Sequence, residues 1–350
     1  MTSRVPAAAG SALLAAALFG ASTPFAKALV GEVPPTALAG LLYAGSGIGL
    51  TLVRLIRDRG WRAPNIATHE WPWLIGAIAF GGIIGPLLLM HGLTRTAATT
   101  ASLLLNLEGV FTALLAWSVF HENADRRIVT GMALIVAGGV ALAWPSSTVI
   151  AGAVGGALLV ALACLAWAID NNLTRKVSTS DAVFIAGLKG WVAGIANLGI
   201  AFWAGTRAPP QAAVGIALLV GFLGYGASLV LFVTALRGLG SARTGAYFST
   251  APFIGAAVAI LGFGEPTSPS FWIATVCMGA GVWLHLTERH EHQHTHEKLT
   301  HTHPHVHDKH HRHSHAGDWD GKEPHEHEHT HEPLTHSHAH YPDVHHQHRH

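Results

Sequence analysis

Apolar positions in residues 1–289 neither alternate nor keep to one stripe; they run on for helix-length stretches and stop at a charge or a proline. Crossing a hydrocarbon core takes roughly 20 apolar residues in helical form. Ten runs approach that length, at about 8–30, 36–56, 71–93, 97–120, 128–144, 150–170, 182–205, 212–236, 241–263 and 271–287. Most are separated by Pro34-Pro35, Arg57-Asp58-Arg59, Thr94-Arg95, Asp125-Arg126-Arg127, Arg175-Lys176, Pro209-Pro210 and Glu265-Pro266. Charge and proline are both costly inside a lipid-buried helix, so these are ends. The pattern predicts an all-α integral membrane protein with ten transmembrane helices. The first run has a second reading, a cleavable signal peptide behind Arg4. Nine further spans, and Ser22, Thr23 and Lys27 at its far end, suit a transporter helix better. Cys164 and Cys277 both fall inside spans and imply no disulfide framework.

Composition divides the chain. Residues 1–289 carry 16 Lys/Arg and 10 Asp/Glu, too few to clothe a soluble fold of that size. Of the 27 histidines, 23 lie between His290 and His350; the others are His69, His91, His121 and His285. Between 290 and 350 ten Asp/Glu outnumber five Lys/Arg, a net charge of −5 with neutral histidine. Rich in Pro, Gly, Thr and charge and poor in large aliphatics, this tail cannot build a core and is expected to be disordered when metal-free.

Basic residues in short loops orient the spans. With the N-terminus in the cytoplasm, Arg4, Arg54, Arg57, Arg59, Arg62, Arg126, Arg127, Arg175, Lys176, Arg237, Arg243 and Arg289 lie inside, and only Lys27, Arg95 and Arg207 outside. An even number of spans returns the tail to the cytoplasm, and a bacterial inner (plasma) membrane is the expected location.

A shift of 143 positions aligns "LEGVFTALLAWSVFHE" (107–122) with "TAPFIGAAVAILGFGE" (250–265), matching Ala113 with Ala256, Phe120 with Phe263 and Glu122 with Glu265. The same shift pairs Leu93 with Leu236 and Gly138 with Gly281. Two repeats of five spans, an odd number, must be inverted relative to each other, an arrangement suited to alternating access about a midplane site. The expected organisation is a repeat in 1–145, a second in 146–289 and the tail in 290–350.

The run "LLLNLEGVFTALLAWSVFHE" (103–122) resembles the fourth-helix signature of EamA-type members of the drug/metabolite transporter superfamily, with a Leu-Glu-Pro-Val-Phe-like core leading to a Gly-Glu end. "FGASTPFAKALV" (19–30) is similar to that family's first helix and "AYFSTAPFIGAAVAILGFGE" (246–265) to its ninth. Two positions depart. Gly109 stands where the family usually has proline, which is expected to soften the helix break in span 4, whereas Pro252 keeps it in the second half; His121 replaces the glycine before Glu122. The resemblance implies a secondary carrier of small organic solutes such as amino acids, nucleosides, sugars or toxic metabolites, frequently an exporter. No GxxxxGK[ST] loop is present, so ATP is not expected to drive it.

An ionisable side chain inside a span is costly and is by default a site candidate. Glu108, halfway along span 4 beside Asn106, can exchange a proton or meet a cationic substrate; its structural alternative is to brace broken backbone. Lys189 in span 7 and Lys27 in span 1 are cations that can pair with Glu108 or receive an anionic group, although Lys27 is close enough to the interface to snorkel. Asp170, with Asn171 and Asn172, closes span 6 as an inner gate or as an ordinary polar helix end. Trp167 and Tyr247 offer aromatic faces to a solute or to packing. The pairs Gly81-Gly82 and Gly138-Gly139 read as packing and hinge sites.

The tail points to metal. Its His-x-His repeats, with His301, His303, His305, His307, His310, His311, His313, His315, His325, His327, His329 and His331 as candidate ligands, suit Zn(II), Ni(II), Cu(II) or Co(II). A metal-free alternative is a solubilising or buffering segment. The alternative functions are a divalent metal (Zn/Ni/Co) transporter, or a metabolite carrier gated by metal at the tail. Against metal transport, His91 and His285 are followed four residues on by Arg95 and Arg289, and no span holds a His or acidic cluster. His91 is expected to be a polar packing residue. No Ser/His/Asp, Cys/His or His-Glu-x-x-His arrangement supports an enzyme, and no cofactor is required. The expected partners are the bilayer, a small organic solute and divalent metal at the tail, with no nucleic acid; a homodimer is a candidate assembly.

Overall fold

The computed structural model describes residues 4–60, 66–120, 126–144, 150–174, 177, 181–239, 241–287, 291–296, 299–305, 325–331 and 334–339. His121, His307, His310, His311, His313 and His315 lie outside them. Residues 1–288 and 289–350 form separate compact units.

In the first unit the apolar runs become helices. They are α1 (Arg4–Leu29), α2 (Pro35–Asp58), α3 (Trp71–Ala77), α4 (Gly85–Leu93), α5 (Ala98–Leu104), α6 (Leu107–Phe120), α7 (Arg126–Ala143), α8 (Ile150–Thr174), α9 (Ala182–Trp203), α10 (Gln211–Gly221), α11 (Ser228–Leu239), α12 (Ser241–Phe248), α13 (Ala251–Phe263) and α14 (Pro269–Leu286). Among the described residues, eight helical stretches are long and apolar enough to cross a membrane. The ninth expected span is divided between α12 and the 13-residue α13, and the tenth is the 18-residue α14.

Four spans are not simple helices. Span 3 passes from α3 to α4 through a π turn at Ile78–Ile84, and span 8 passes from α10 to α11 through another at Phe222–Ala227. Span 4 breaks between α5 and α6, and span 9 between α12 and α13. The repeat shift of 143 carries 78–84 onto 221–227 and the start of α5 onto the start of α12. The irregularities are therefore as duplicated as the sequence. Gly109 does not soften the break as expected. The break lies earlier, at Leu105 and Asn106, and Gly109 sits inside α6 with nothing within 4 Å of its Cβ position.

Packing relies on small residues that bring backbones together where lipid supplies no hydrophobic drive. Between α2 and α9, a Cβ on Gly47 would lie 2.7 Å from the Trp191 nitrogen, and one on Gly194 would lie 2.8 Å from the Ala44 nitrogen. Between α7 and α14, a Cβ on Gly138 would lie 2.7 Å from Met278 Cγ, and one on Gly281 2.6 Å from the Gly131 carbonyl oxygen. His285 Nε2 shares a hydrogen bond with the Ile128 carbonyl (3.0 Å) across that same interface. His91 turns back on its own helix, Nδ1 to Leu87 O at 2.8 Å. Leu38, Leu42, Leu89, Met90, Leu103, Leu104, Val160 and Cys164 fill the interior, while Phe202, Trp203, Leu261 and Trp283 face outward, as a lipid-facing surface requires.

At the far end of α2, Arg57 and Arg54 reach Asp181, which caps α9 by accepting from the Val183 nitrogen (3.0 Å). Burial pushes the Asp181 carboxyl upward, but the hydrogen bonds from Arg57 and Val183 outweigh it and hold the group below the ordinary aspartate value.

Among the described residues of the second unit, four short stretches are extended. Glu291–His296 (β1) pairs antiparallel with Leu334–Ala339 (β4), and Leu299–His305 (β2) with His325–His331 (β3). The His-x-His and His-x-Thr repeats have the period of two that an extended chain presents. The lack of core-forming residues limits each sheet to two strands, the minimum for a ladder and a marginal one.

Two outcomes test this packing. Gly190→Leu, where a Cβ meets Gly47 Cα at 2.7 Å, is expected to force α2 and α9 apart at a cost of about 1–3 kcal/mol or more, read as a lower unfolding temperature in detergent, with Gly215→Leu, which has open space, as the tolerated control. Asp181→Ala is expected to cost about 1 kcal/mol by loss of the cap. Because its folded pKa is depressed, the Asp181 contribution is present above the unfolded aspartate value and fades as pH falls through the folded one, so parent and variant should converge in acid.

Candidate functional site

The π turn of span 3 leaves backbone carbonyls without their usual helical donors, and three side chains supply replacements. Tyr43 Oη from α2 donates to Gly81 O at 2.6 Å, Trp167 Nε1 from α8 donates to the same oxygen at 3.0 Å, and Asn197 Nδ2 from α9 donates to Gly82 O at 3.0 Å. Glycine is required here, because a Cβ on Gly82 would lie 2.7 Å from Ala193 Cβ and one on Gly81 would fall on the Asp170 carboxylate. The Gly81-Gly82 pair, read as a hinge, is thus a tightly held crossing point of α2, α8 and α9.

Beside it lie the charges. Asp170, buried on α8, forms a salt bridge with Lys189 of α9 and accepts a hydrogen bond from Thr174 Oγ1 (3.0 Å). The adjacent Asn171 donates through Nδ2 to Glu108 Oε1 at 2.8 Å. Glu108 stands in the first turn of α6, beyond the break, within electrostatic reach of both Asp170 and Lys189. Two successive residues of α8 therefore connect the broken span 4 to span 7. Asn106 occupies the break itself: buried, it donates to Leu103 O at 2.9 Å and approaches Met278 Sδ at 3.9 Å.

Four sequence candidates, Glu108, Asp170, Trp167 and Lys189, are brought together. Their pairing differs from expectation, since Lys189 meets Asp170 and Glu108 meets the neutral Asn171. Asn106 braces backbone, the structural role proposed at first for Glu108. Lys27 lies elsewhere, donating from α1 to Leu93 O at 2.5 Å. Tyr247 also stands apart on α12, where its carbonyl accepts the Thr250 hydroxyl at 2.6 Å. Tyr43 and Asn197 were missed. Asn197 is fully buried amid an apolar run, and the rule that singled out Lys189 applies equally to it.

From Tyr43 a line of rings continues into the second half. Tyr43 and Tyr225 have centroids 5.4 Å apart, Tyr225 and Phe19 6.1 Å, Phe19 and Phe248 5.4 Å, and Phe248 and Phe232 4.8 Å. These edge and tilted contacts are favourable ring geometries. They join spans 1 and 2 to the π turn of span 8 and to the broken span 9.

Comparison with known proteins places this architecture. The profile of the EamA-like transporter family matches residues 7–144 and again 154–287. An uncharacterized transporter of Methanothermobacter thermautotrophicus is 30% identical over 289 residues, covering 78% of this chain and 84% of that protein. A probable 4-amino-4-deoxy-L-arabinose-phosphoundecaprenol flippase subunit ArnE of Pseudomonas aeruginosa is 39% identical over 111 residues, covering 30% of this chain and 91% of that one. A solved crystal structure superposes with a TM-score of 0.59 at 18% identity, covering 79% of this chain and 98% of its own, which shows a shared fold. Membrane-spanning helices, duplicated irregular spans and a twice-matched profile agree: the chain is an integral membrane protein that belongs to the EamA-like transporter family.

Proposed function

We propose that the protein is a secondary-active carrier that exports small organic solutes by alternating access, with Glu108 as the group that exchanges a proton or meets the solute. One observation carries this reading. Lys189, the cation nearest in role, is already engaged by Asp170, and among the described residues the side-chain partner of Glu108 is a neutral amide. A carboxylate so placed inside a span is expensive unless its charge comes and goes with transport. Asn197 supports a site here as well, since its Oδ1 is buried with no hydrogen-bond partner among the described residues. The aromatic line offers apolar faces for the body of a solute. The name of the ArnE relative specifies an amino sugar, and an amine is what a carboxylate such as Glu108 suits. The bias of basic residues supports a bacterial inner-membrane location with both termini cytoplasmic, and the two profile matches support moving repeats in 1–145 and 146–289 followed by the tail, 290–350.

For the tail we propose binding of Zn(II), Ni(II), Cu(II) or Co(II) by its histidines. The register of β2 and β3 supports it: His301, His303 and His305 pair with His329, His327 and His325 along the ladder. Among the described residues no three His, Cys, Asp or Glu side chains converge; metal is placed at the tail, as a buffer or a regulator of the carrier, on its histidine content.

Glu108→Gln is expected to lower flux, or its dependence on a proton gradient, about tenfold or more, while the protein remains in the membrane and folded; unchanged flux in reconstituted vesicles would return Glu108 to a structural role. Asp170→Asn should behave differently, because it leaves the half-buried Lys189 without its carboxylate, seen as loss of folded protein. Zn(II) or Ni(II) titration of the full chain by calorimetry should show binding that is absent from residues 1–289, and regulation by the tail requires that the truncation also abolish any metal effect on organic-solute flux.

A further inference from the structure

Glu265 closes the second repeat, where the shift of 143 pairs it with Glu122, and the transport site does not account for it. It is placed with care. Gly264 ends α13 in the left-handed conformation at φ 65°, with its nitrogen bonded to Ile260 O and the Glu265 nitrogen to Ala259 O, both at 3.1 Å. The chain turns back there in the manner of a Schellman end. The carboxylate then accepts two backbone hydrogen bonds from another span: Ala98 N to Oε1 and Thr99 N to Oε2, each 2.8 Å. Those amides open α5, the seven-residue half of span 4 that ends at the break before Glu108.

Other ties converge at the same end. Lys27 of α1 donates to Leu93 O at the close of α4 and is near enough to Glu265 to be attracted to it. Phe25 meets Phe263 edge-on, with centroids 5.3 Å apart. Below them, α1, α5 and α13 approach closely: a Cβ on Gly255 would lie 2.6 Å from Gly20 O and 2.8 Å from Ser102 Oγ. Spans 1, 3, 4 and 9 are thereby joined at one end of the bundle, the outer end on the orientation proposed above.

We propose that Glu265 is the latch of this end of the pathway. Its carboxylate pins α5 to the end of α13, and the gate opens when both amides are released and α5 swings about the break at Leu105 and Asn106. Two charge-assisted bonds on adjacent amides hold the short half-helix in position and direction, which one bond would not. α5 is a rigid lever because it is helical, and it hinges at Leu105 and Asn106, where the backbone ladder shifts from i to i+4 bonds to the i to i+3 bonds Asn106 N to Leu103 O and Glu108 N to Leu105 O, both 3.1 Å. Opening at this end and rearrangement at Glu108 are thus carried by the two halves of one broken span.

The experiment needs no transported solute, so it stands or falls apart from the proposed substrate. Ser102 is buried against Gly255 and becomes reachable only if α5 leaves α13. Ser102→Cys is introduced into the full chain with Cys164 and Cys277 retained, and the rate of maleimide labelling in detergent is measured after subtracting that of the same chain without the new cysteine. Glu265→Gln removes the charge and one acceptor and is expected to speed labelling about tenfold; Glu265→Asp, which keeps the carboxylate, should restore part of the protection. Met132→Cys, buried on α7 away from α5 and α13 in sequence, reports on general loosening. Labelling of Ser102→Cys that stays at the parent rate in Glu265→Gln overturns the proposal, and so does an equal acceleration at Met132→Cys.

Discussion

A backbone carbonyl freed from its helix inside hydrocarbon has no water to turn to, so every irregular turn in a membrane bundle must be supplied with a donor from elsewhere in the protein. Here four spans are irregular, and much of the interior polar chemistry follows from that. Tyr43, Trp167 and Asn197 gather around Gly81 and Gly82 because those carbonyls need them. At the break of span 4, Leu103 O accepts both the backbone nitrogen and the side-chain amide of Asn106. The donors come from α2, α8 and α9, so satisfying the backbone of span 3 also fixes how three other spans meet.

That meeting point sorts the charges. Once Asp170 and Lys189 have joined, their ionic character is spent on each other, and the pair becomes a fixed dipole in the wall. Glu108 is left with an amide for company. Two carboxylates on neighbouring spans thus have opposite characters, one committed and one available, although both stand as lone acids in an apolar sequence. The difference comes from the register of α8, which turns Asp170 to α9 and Asn171 to α6.

Run length was enough to read the spans, because the membrane imposes a one-dimensional criterion, and the repeat was visible in a shift of 143. The interruptions were harder. A π turn changes hydrogen bonding by one residue without altering hydropathy, so only the Gly81-Gly82 pair hinted at it. The break in span 4 was expected to be softened by Gly109 in place of the family's proline; it persists at Leu105 and Asn106, where the Asn106 amide donates to Leu103 O. Glu108, Asp170, Lys189 and Trp167 were legible as costly or large groups in spans. Which acid takes the lysine was not, since that depends on helix rotation. Tyr43 was not singled out, because a ring in an apolar run carries no cost that marks it. In the tail, composition argued against a core, and the two-stranded ladders there need none.

The paired π turns bear on what the repeat contains. An i to i+5 turn accommodates one residue more than the α-helix around it, and such turns are rare enough that two at matching positions call for a common cause. Ile78–Ile84 and Phe222–Ala227 are related by the same shift as the repeats themselves. The match makes the extra residue part of the repeated unit, shared by both halves, rather than a defect that each half acquired for its own use.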